Sequence, residues 1–357
     1  MLSSYEMVAS DFSKKVKGKK GIHDISWWRV VIDEAHQIRN PSSKTFKAVT
    51  EISRIHSLAL TGSPFVNNPQ DIYALLSFVG LAPLDDKDNF KLHILDLIKE
   101  RRRCGLYRLR AALAYSALRR TKNSVNLQLP EKTVHISKVE FENGFHKEVH
   151  DCLYFAARIA FDASINGVGR DDNHSGEGIS TLVQQSSFEM LLRVRQACGD
   201  ATLVPYERYN KARIAMEGLP RDANGVVKQL TATEGDEMID FLMEASGSEE
   251  GTGYPKNMGV SPKIHALLDQ ITEMATDEKG VIFSQWTGML DRLEPFLKHA
   301  GHTFVRIDGS MTSDERTDAL TKLKEDDEVR FILCSLRAAG VGINLTRANV
   351  VFMMDPW

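Results

Sequence analysis

The sequence predicts an α/β protein with two parallel sheets, and three observations support this fold class. Short apolar, β-branched runs alternate with amphipathic segments between residues 29 and 79, and they alternate again after residue 260. Such alternation is typical of parallel sheets. The pattern between these regions is mainly helical, so we expect two lobes joined by a largely helical region. The predicted domains are residues 1–130, 131–258 and 259–357.

The first lobe shows its strand and helix patterns in close succession. RVVID (29–33) is an apolar run that ends in an acid, which predicts a buried parallel strand. Residues 43–53 predict a helix, HSLALTGSP (56–64) a second strand that enters a turn, and residues 69–79 another helix. Residues 90–122 predict mainly helix with a basic stripe.

The middle of the chain has less regular patterns. KTVHISKVEF (132–141) alternates polar and apolar residues and predicts an extended strand. Residues 145–165 and 181–197 predict helices separated by a loop. Residues 206–258 contain one helical candidate, at 236–245, and then a segment with the composition of a linker.

The second lobe begins near Ser261 and again alternates helix with strand. Helices are predicted at 262–276, 287–300 and 312–324, and strands at 280–285, 303–308, 329–335 and 349–355. This order predicts a second parallel sheet covered by helices.

Composition excludes several classes of protein. The chain has 357 residues, 42% of them hydrophobic and 26% charged, which is typical of globular proteins. No apolar run approaches the ~18 residues of a membrane span. Four scattered cysteines without a CxxC pair argue against a disulfide framework and a zinc site. Residues 1–130 contain 21 Lys and Arg against 12 Asp and Glu, which suits a polyanionic partner or a solvated basic face.

VVIDEAH (30–36) is the strongest functional pattern. The strand delivers Asp33 and Glu34 to the carboxyl edge of the sheet, where α/β folds bind ligands. An acid in this position holds Mg²⁺ on the phosphates in P-loop nucleotide hydrolases, and Glu34 can polarise the attacking water. His36 would lie close enough to sense the phosphates. The DEAH motif therefore predicts a Mg²⁺-dependent ATPase, and an ordinary strand ending in acids is the alternative.

Two glycine-containing turns are weaker patterns. Thr61, Gly62 and Ser63 follow the second predicted strand, where their hydroxyl groups can bond nucleic-acid phosphates and the acidic site. Gly340 and Gly342 let the backbone approach a phosphate or a facing domain. Most such turns are only structural, so neither pattern identifies a function by itself.

Seven motifs occur in order along the chain: SSYEM (3–7), WRVVIDEAHQIRNPSSKTFKAV (28–49), LALTGSPFVNN (58–68), LRRTK (118–122), VIFSQW (281–286), RIDGSMTSDER (306–316) and the stretch 335–357. Together they resemble the Swi/Snf-type ATPases of helicase superfamily two, and they frame nearly the whole chain. FEMLLRVRQACGDATLV (188–204) further resembles the subgroup of helicase-like transcription factor and its post-replication-repair relatives.

The resemblance implies two RecA-like lobes with ATP between them and duplex DNA across their faces. Asp33 and Glu34 match the family's Mg²⁺ and catalytic acids. The residues matching positions that couple the nucleotide state to DNA are His36, Thr61, Gly62, Ser63, Gly340 and Gly342. The residues matching DNA-contact positions are Arg119, Arg120, Gln285, Trp286, Asp308, Gly309, Ser335 and Asn344.

The sequence also departs from the family. It contains no GxxxxGKS or GxxxxGKT motif, so the phosphate-cradling loop and its lysine are missing. In the family this loop lies upstream, and an arginine motif follows DPW downstream. We therefore expect the first lobe to be incomplete at its N-terminus, the second at its C-terminus, and the fragment alone to be inactive. Between Asp200 and Pro262 there is no Cys or His, so no zinc-binding RING domain is expected.

Two function classes stay open from the sequence. The first is a nuclear DNA translocase that uses ATP and Mg²⁺ in chromatin remodelling or DNA repair, with double-stranded DNA and nucleosomes or repair proteins as partners. The second is a hydrolysis-incompetent module that only binds DNA or protein. A strand-separating helicase fits LRRTK and DPW poorly. KKVKGKK (14–20) and ERRRCGLYRLR (100–110) are phosphate contacts or solvated basic segments.

Overall fold

The structure is a computed structural model that describes residues 1–13, 21–65, 68–121, 130–142, 144–167, 181–243, 253–255, 258–339 and 343–355. The basic segment KKVKGKK and the predicted site residues Gly340 and Gly342 lie outside these ranges. Two compact units make up the chain, Met1–Thr133 and Val134–Trp357. Within the described ranges, no helix has the length and apolar character needed to cross a membrane. The three-domain division stays a prediction.

The first unit contains a two-stranded parallel sheet, in which Trp27 pairs with Arg54 and Ile32 with Ala59. The predicted strands and helices of this region are confirmed, with small shifts at their ends. The prediction that the first strand is buried is wrong, because one of its faces is open: Val31 is 50% exposed, and Ile32 alone in this strand is buried. Its elements are α1 (Tyr5–Ser13), β1 (Trp27–Ile32), α2 (Lys44–Thr50), β2 (Arg54–Ala59), α3 (Gln70–Val79), α4 (Lys87–Phe90), a π-helical turn (Lys91–Leu95), α5 (Asp96–Lys99) and α6 (Arg103–Ser116).

Local chemistry sets several boundaries in the first unit. The Ser43 hydroxyl accepts the Phe46 N–H at 3.1 Å and caps α2. Gly80, with φ of 77°, ends α3 in the left-handed conformation that glycine adopts without strain. The helices bury one apolar cluster against the sheet. Its fully buried members are Ala35, Ile38, Ala48, Ala74, Phe78 and Ile94.

The second unit begins with a helical region, as predicted. Its elements are α7 (Phe145–Gly167), α8 (Thr181–Ala197), a 3-10 turn (Ala201–Leu203), α9 (Tyr206–Gly218) and α10 (Ala232–Met243). The sequence did not predict α9. The buried face of α9 includes Lys211, whose Nζ donates to the Phe241 carbonyl at 3.2 Å, so the apolar periodicity is interrupted.

The predicted strand at 132–141 is wrong. Residues 130–142 form no helix or strand, and Val134 and Ile136 are 68% and 86% exposed. A strand requires a hydrogen-bonded neighbour as well as an alternating pattern. No described strand pairs with this segment. Its alternating apolar residues therefore do not form the buried face of a sheet.

The rest of the second unit is a four-stranded parallel sheet in the order β4-β5-β3-β6. All four predicted strands and the three predicted helices are confirmed. The elements are α11 (Pro262–Glu273), β3 (Gly280–Ser284), α12 (Thr287–His299), β4 (Thr303–Ile307), α13 (Ser313–Glu325), β5 (Val329–Ser335), α14 (Leu336–Ala339) and β6 (Val350–Met353).

The central strands β3 and β5 are buried on both faces, and their successive residues point to opposite sides of the sheet. The edge strand β6 is partly exposed, with Val351 at 55%. Ile282 and Phe331 belong to the cluster formed with α11 and α12. Val281 and Ile332 belong to the cluster formed with α13. The packing leaves little tolerance at Gly280, where a Cβ atom would lie 2.8 Å from the Phe331 ring. The sheet therefore presents its functional groups at the strand ends.

Candidate functional site

The carboxyl ends of β1 and β2 are locked together by backbone hydrogen bonds. The Leu60 N–H donates to the Ile32 carbonyl at 2.8 Å, and the Ala35 N–H donates to the Leu60 carbonyl at 2.8 Å. These bonds place the residues after β1 beside those after β2. Asp33 and Glu34 therefore lie next to the turn that begins at Thr61, as parallel strands require.

The two acids occupy a sharply bent piece of backbone. Asp33 is exposed, and its Oδ1 accepts the Glu34 N–H at 2.9 Å. Glu34 has φ of 47° and ψ of 48°, a left-handed conformation that costs energy in any residue other than glycine. Glu34 Oε2 lies 3.2 Å from His36 Nδ1. The bend thus turns both carboxylates out of the strand and brings the imidazole against one of them.

Tyr5 belongs to this site, although the sequence assigned it no role. Its hydroxyl donates to the Asp33 carbonyl at 2.6 Å. Burial, followed by the negative charges of Asp33 and Glu34, raises the pKa of Tyr5 to about 12. The phenol therefore stays protonated and ties α1 to the acidic bend. The motif SSYEM indicated that this segment mattered, but only the fold shows what it contacts.

The turn after β2 is a compact loop with exposed polar groups. Thr61 Oγ1 accepts the Ser63 N–H at 3.1 Å, which holds the turn closed. Gly62 and Ser63 are exposed, and no atom lies within 4 Å of the position that a Cβ of Gly62 would occupy. The predicted residues Asp33, Glu34, His36, Thr61, Gly62 and Ser63 are thus brought together at one sheet edge.

The exposed carboxylate at this edge is an oxygen ligand of the kind with which proteins hold Mg²⁺. Among the described residues, no group of three or more His, Cys, Asp or Glu side chains could hold a metal ion. Mg²⁺ is usually held by one or two carboxylates and by substrate phosphates. The exposed carboxylate of Asp33 fits that arrangement. A cavity of about 280 Å³ beside β1 ends at Asp33 but is lined mainly by apolar groups, so its walls do not suit a triphosphate.

In the second unit, the ends of β3 and β6 meet through Asp355. Its carboxylate is 4% exposed and accepts two hydrogen bonds at Oδ2, from Ser284 Oγ at 2.6 Å and from the Gln285 N–H at 2.9 Å. Ser284 Oγ in turn accepts the Trp286 N–H at 3.0 Å. Asp355 therefore fixes the backbone that carries the predicted residues Gln285 and Trp286.

The Gln285 side chain is held by a residue of the helical region. In the amide orientation that satisfies both neighbouring donors, its oxygen accepts from Arg195 Nη2 at 3.0 Å and from Trp286 Nε1 at 3.3 Å. Arg195 lies on α8, 90 residues away in sequence. The helical region thus contacts a predicted DNA-binding residue, which the sequence did not indicate.

Asp308, at the end of β4, is engaged within its own turn. Oδ1 accepts from the Ser310 hydroxyl at 2.6 Å and the Ser310 N–H at 2.9 Å, while Arg306 Nε donates to Oδ2 at 2.7 Å. The two Ser310 bonds, followed by Arg306, hold the pKa of Asp308 below its usual range. The carboxylate shapes the turn, and the exposed Gly309 forms its tip.

The remaining predicted residues lie at separate points. Ser335 ends β5, is 4% exposed, and its Oγ accepts the Ala338 N–H at 3.4 Å. Asn344 is exposed, and its Oδ1 accepts from the Thr346 hydroxyl at 2.8 Å. Arg119 and Arg120 are exposed in the coil after α6. In the second unit, the parallel strands bring Gln285, Trp286, Asp308, Gly309 and Ser335 to one sheet edge.

Two protein-family profiles match the chain. The SNF2-related domain matches residues 1–203, and the helicase conserved C-terminal domain matches residues 262–357. The two α/β regions of the structure fall within these matches.

Individual proteins match the chain over its whole length. It is 28% identical to DNA repair protein RAD5A of Arabidopsis thaliana and to DNA repair protein rad8 of Schizosaccharomyces pombe, covering 41% and 39% of those proteins. It is 27% identical to helicase-like transcription factor of Mus musculus and covers 40% of it. The chain therefore spans about two fifths of these relatives.

Two solved structures are also similar. The SWI2/SNF2 ATPase core of Sulfolobus solfataricus in complex with dsDNA is 22% identical with a TM-score of 0.33, over 99% of this chain and 61% of that one. The C-terminal part of the Fun30 ATPase domain is 23% identical with a TM-score of 0.41, over 64% of this chain and 77% of that one.

Proposed function

The chain belongs to the SNF2 family, and from this membership we propose that it is the motor region of an ATP-dependent translocase on double-stranded DNA. Relatives that match the whole chain are named as DNA repair proteins and as helicase-like transcription factor. We propose a nuclear role in DNA repair or chromatin remodelling for the whole protein, with nucleosomes or repair proteins as further partners.

One observation supports this proposal most directly. Asp33 and Glu34 follow β1 on a strained bend, where Asp33 is exposed and Glu34 is partly exposed. Backbone hydrogen bonds hold this bend against the Thr61 turn. Strain of this kind is stored where the surrounding structure over-determines a functional geometry. Two adjacent acids beside a hydroxyl-rich turn can hold a cation and accept a proton from water.

The proposed roles at this edge follow from the contacts. Asp33 would hold Mg²⁺, which when bound neutralises charge on the ATP phosphates. Glu34 orients and deprotonates the attacking water, and His36, 3.2 Å from Glu34, senses that charge. The Thr61 turn moves together with Asp33 and Glu34, because the Leu60 backbone forms hydrogen bonds with the backbone of both Ile32 and Ala35. No residue of this chain is assigned to cradle the phosphates, since the sequence has no GxxxxGKS or GxxxxGKT motif.

DNA contact is proposed for the exposed cations and turn tips. Arg119 and Arg120 can pair with phosphates, and the exposed Gly309 allows a backbone to approach closely. Gln285, Trp286, Ser335 and Asn344 supply further polar contacts. Asp308 repels phosphate, so we assign it the role of shaping the Gly309 turn. Contacts of this kind are sequence-tolerant and sensitive to salt.

The test is ATP hydrolysis by the gene product that contains this chain, with and without duplex DNA. We expect DNA to stimulate hydrolysis and Glu34→Gln to lower kcat by about a hundredfold or more, because it removes the proton acceptor. DNA affinity should stay unchanged. Glu51→Gln, at an exposed acid beyond α2, is the matched control. Hydrolysis that duplex DNA does not stimulate would contradict a translocase.

The second candidate is a module that binds DNA or protein without hydrolysing ATP. These 357 residues contain no GxxxxGKS or GxxxxGKT motif, so this candidate concerns the chain by itself. The 357-residue chain is tested for binding of a fluorescent ATP analogue and of labelled duplex DNA. Duplex binding without nucleotide binding, together with a gene product that does not hydrolyse ATP, would favour the module. Hydrolysis by the gene product would exclude it.

A further inference from the structure

The side-chain amide of Gln285 is held by its oxygen, and this decides which of its groups can bind a ligand. The oxygen accepts from Arg195 Nη2 at 3.0 Å and from Trp286 Nε1 at 3.3 Å. An amide oxygen has two lone pairs, and these two donors use both. The NH₂ group of the partly exposed Gln285 is therefore the group that can bind a ligand, and it offers donors.

The segment that follows α8 holds Arg195 in its place. Asp200 is fully buried, and its Oδ1 accepts from the Thr202 N–H at 2.9 Å and the Thr202 hydroxyl at 2.6 Å. Its Oδ2 lies 3.5 Å from Arg292 Nε on α12. Separating a buried carboxylate from its cation is costly. The end of α8 is therefore fixed against α12.

Apolar packing strengthens the same junction. Leu203 ends the 3-10 turn and packs on the cluster formed with α11 and α12. A Cβ atom at Gly288, the second residue of α12, would lie 3.2 Å from Leu203 Cδ2. Because α12 begins directly after Trp286, the packing that fixes α8 also fixes the distance between Arg195 and Gln285.

The groups at this point suit a ligand that carries acceptors and negative charge. Arg195 is exposed and cationic, and the NH₂ group of Gln285 is a neutral donor. The phosphates of a DNA backbone present only acceptor oxygens, whereas base edges present donors as well. A backbone phosphate therefore matches this arrangement better than a base edge.

We propose that Gln285 donates from its NH₂ group to a phosphodiester oxygen of duplex DNA, and that Arg195 is the positioning residue that fixes the amide in this orientation. The inference rests on the proposed function, because it assigns a geometry to one of the proposed DNA contacts. It makes the helical region part of the DNA-binding edge of the second sheet, through α8.

The first test changes the polarity of position 285 and measures duplex affinity of the 357-residue chain by fluorescence anisotropy. Gln285→Glu keeps the side-chain size and both bonds from Arg195 and Trp286, but it replaces the NH₂ donors with an anionic oxygen. We expect the affinity to fall about tenfold or more, since a bond to a charged acceptor is lost. Gln285→Met, which adds no charge, should cause a smaller loss.

The second test separates a positioning role of Arg195 from a direct phosphate contact. Arg195→Met should lower affinity about fivefold, and in the Gln285→Met background it should have no further effect. A direct contact would instead reduce the slope of log affinity against log salt by about 0.9. Arg195→Lys keeps one donor and should restore most of the affinity. Arg158→Met, at an exposed arginine paired with Asp162 on α7, is the matched control and should change neither quantity.

The outcomes separate this inference from the function on which it rests. A chain that binds no duplex would refute the proposed DNA contacts, and this inference with them. If the chain binds duplex but Gln285→Glu stays within about twofold of the unmodified chain, the inference alone is overturned. Additive losses from Arg195→Met and Gln285→Met, or a salt slope reduced by about 0.9 in Arg195→Met, would also overturn it.

A third measurement uses the unmodified chain, so it does not depend on the folding of any variant. Nuclear magnetic resonance of the isotope-labelled chain follows the assigned indole N–H groups and the Gln285 NH₂ group. We expect the Trp286 indole to exchange with solvent more slowly than that of Trp28, which is 65% exposed. Duplex DNA should shift the Gln285 NH₂ signal and leave the Trp286 exchange slow. Equal exchange at the two indoles, or an NH₂ signal that bound duplex does not shift, would overturn the inference.

Discussion

Replacing Asp355 with alanine is expected to loosen the carboxyl edge of the second sheet. The buried carboxylate accepts hydrogen bonds from Ser284 Oγ at 2.6 Å and the Gln285 N–H at 2.9 Å. Each hydrogen bond to a charged acceptor contributes about 1.5–3 kcal/mol to stability. After the substitution the two donors stay buried without an acceptor, and this adds a desolvation cost. Because both bonds end on one oxygen, their losses do not simply add. We expect a loss of about 3–5 kcal/mol in the local free energy of opening.

Hydrogen–deuterium exchange of the peptides that contain β3 and β6 measures this loss. A tenfold change in the opening equilibrium corresponds to about 1.4 kcal/mol, so exchange should accelerate by about two to three and a half powers of ten. Ser284→Ala should cause a smaller acceleration, since Gln285 keeps its acceptor. The control is Asp327→Ala, because this side chain is 91% exposed in its pair with Arg347 and should contribute about 0–1 kcal/mol.

The result that would refute this reasoning is specific to the edge. If Asp355→Ala changes exchange in β3 and β6 by no more than about threefold, less than 1 kcal/mol, the carboxylate does not hold these strand ends. Equal acceleration throughout the second unit would instead indicate loss of the whole fold.

Two further predictions concern the stability of the units. Burial, followed by the charge of Arg330, lowers the pKa of His302. The stability that neutral His302 contributes to the folded protein is therefore present above its ordinary pKa of about 6.5. This stability is lost as the pH falls through the lower pKa that His302 has in the folded protein. In His302→Gln, the urea concentration at the unfolding midpoint should therefore fall less steeply as the pH is lowered below about 6.5. The same pH dependence in the variant and the unmodified chain would contradict this. Arg54 donates to four backbone carbonyls, including that of Phe78 at 2.6 Å. Arg54→Met should lower the unfolding free energy of the first unit by about 2–4 kcal/mol in urea denaturation followed by tryptophan fluorescence. The exposed Arg103→Met is the control, and equal losses would contradict the prediction.

Sequence patterns predicted most helices and strands because each of these elements has its own hydrophobic periodicity over a few residues. The helix expected at 69–79 is α3 (Gln70–Val79), and the strand expected at 329–335 is β5 (Val329–Ser335). The pattern failed where burial did not follow hydrophobicity. Residues 132–141 alternate without a neighbouring strand, and α9 buries Lys211 among apolar side chains.

The candidate site divides in the same way. The acids after β1 and the turn after β2 were predicted as neighbours because parallel strands bring their carboxyl ends together. The contacts of Tyr5 and Arg195 were not predicted, since each joins positions far apart in sequence through side chains alone. The one indication in the sequence that Tyr5 and Arg195 are important was that both lie in segments that resemble the family.

By itself, the sequence determined where the strands end and which acids follow them, because hydrophobic periodicity and turn residues act over a few positions. Tertiary structure alone decided which distant groups meet. The strand order β4-β5-β3-β6 places β6 beside β3, so that Asp355 reaches Ser284 across 71 residues. Packing of α7 against α9 likewise brings the Tyr209 hydroxyl to Glu148 Oε1, at 2.7 Å. These contacts depend on how whole elements bury their apolar faces against one another, and no local pattern encodes that choice.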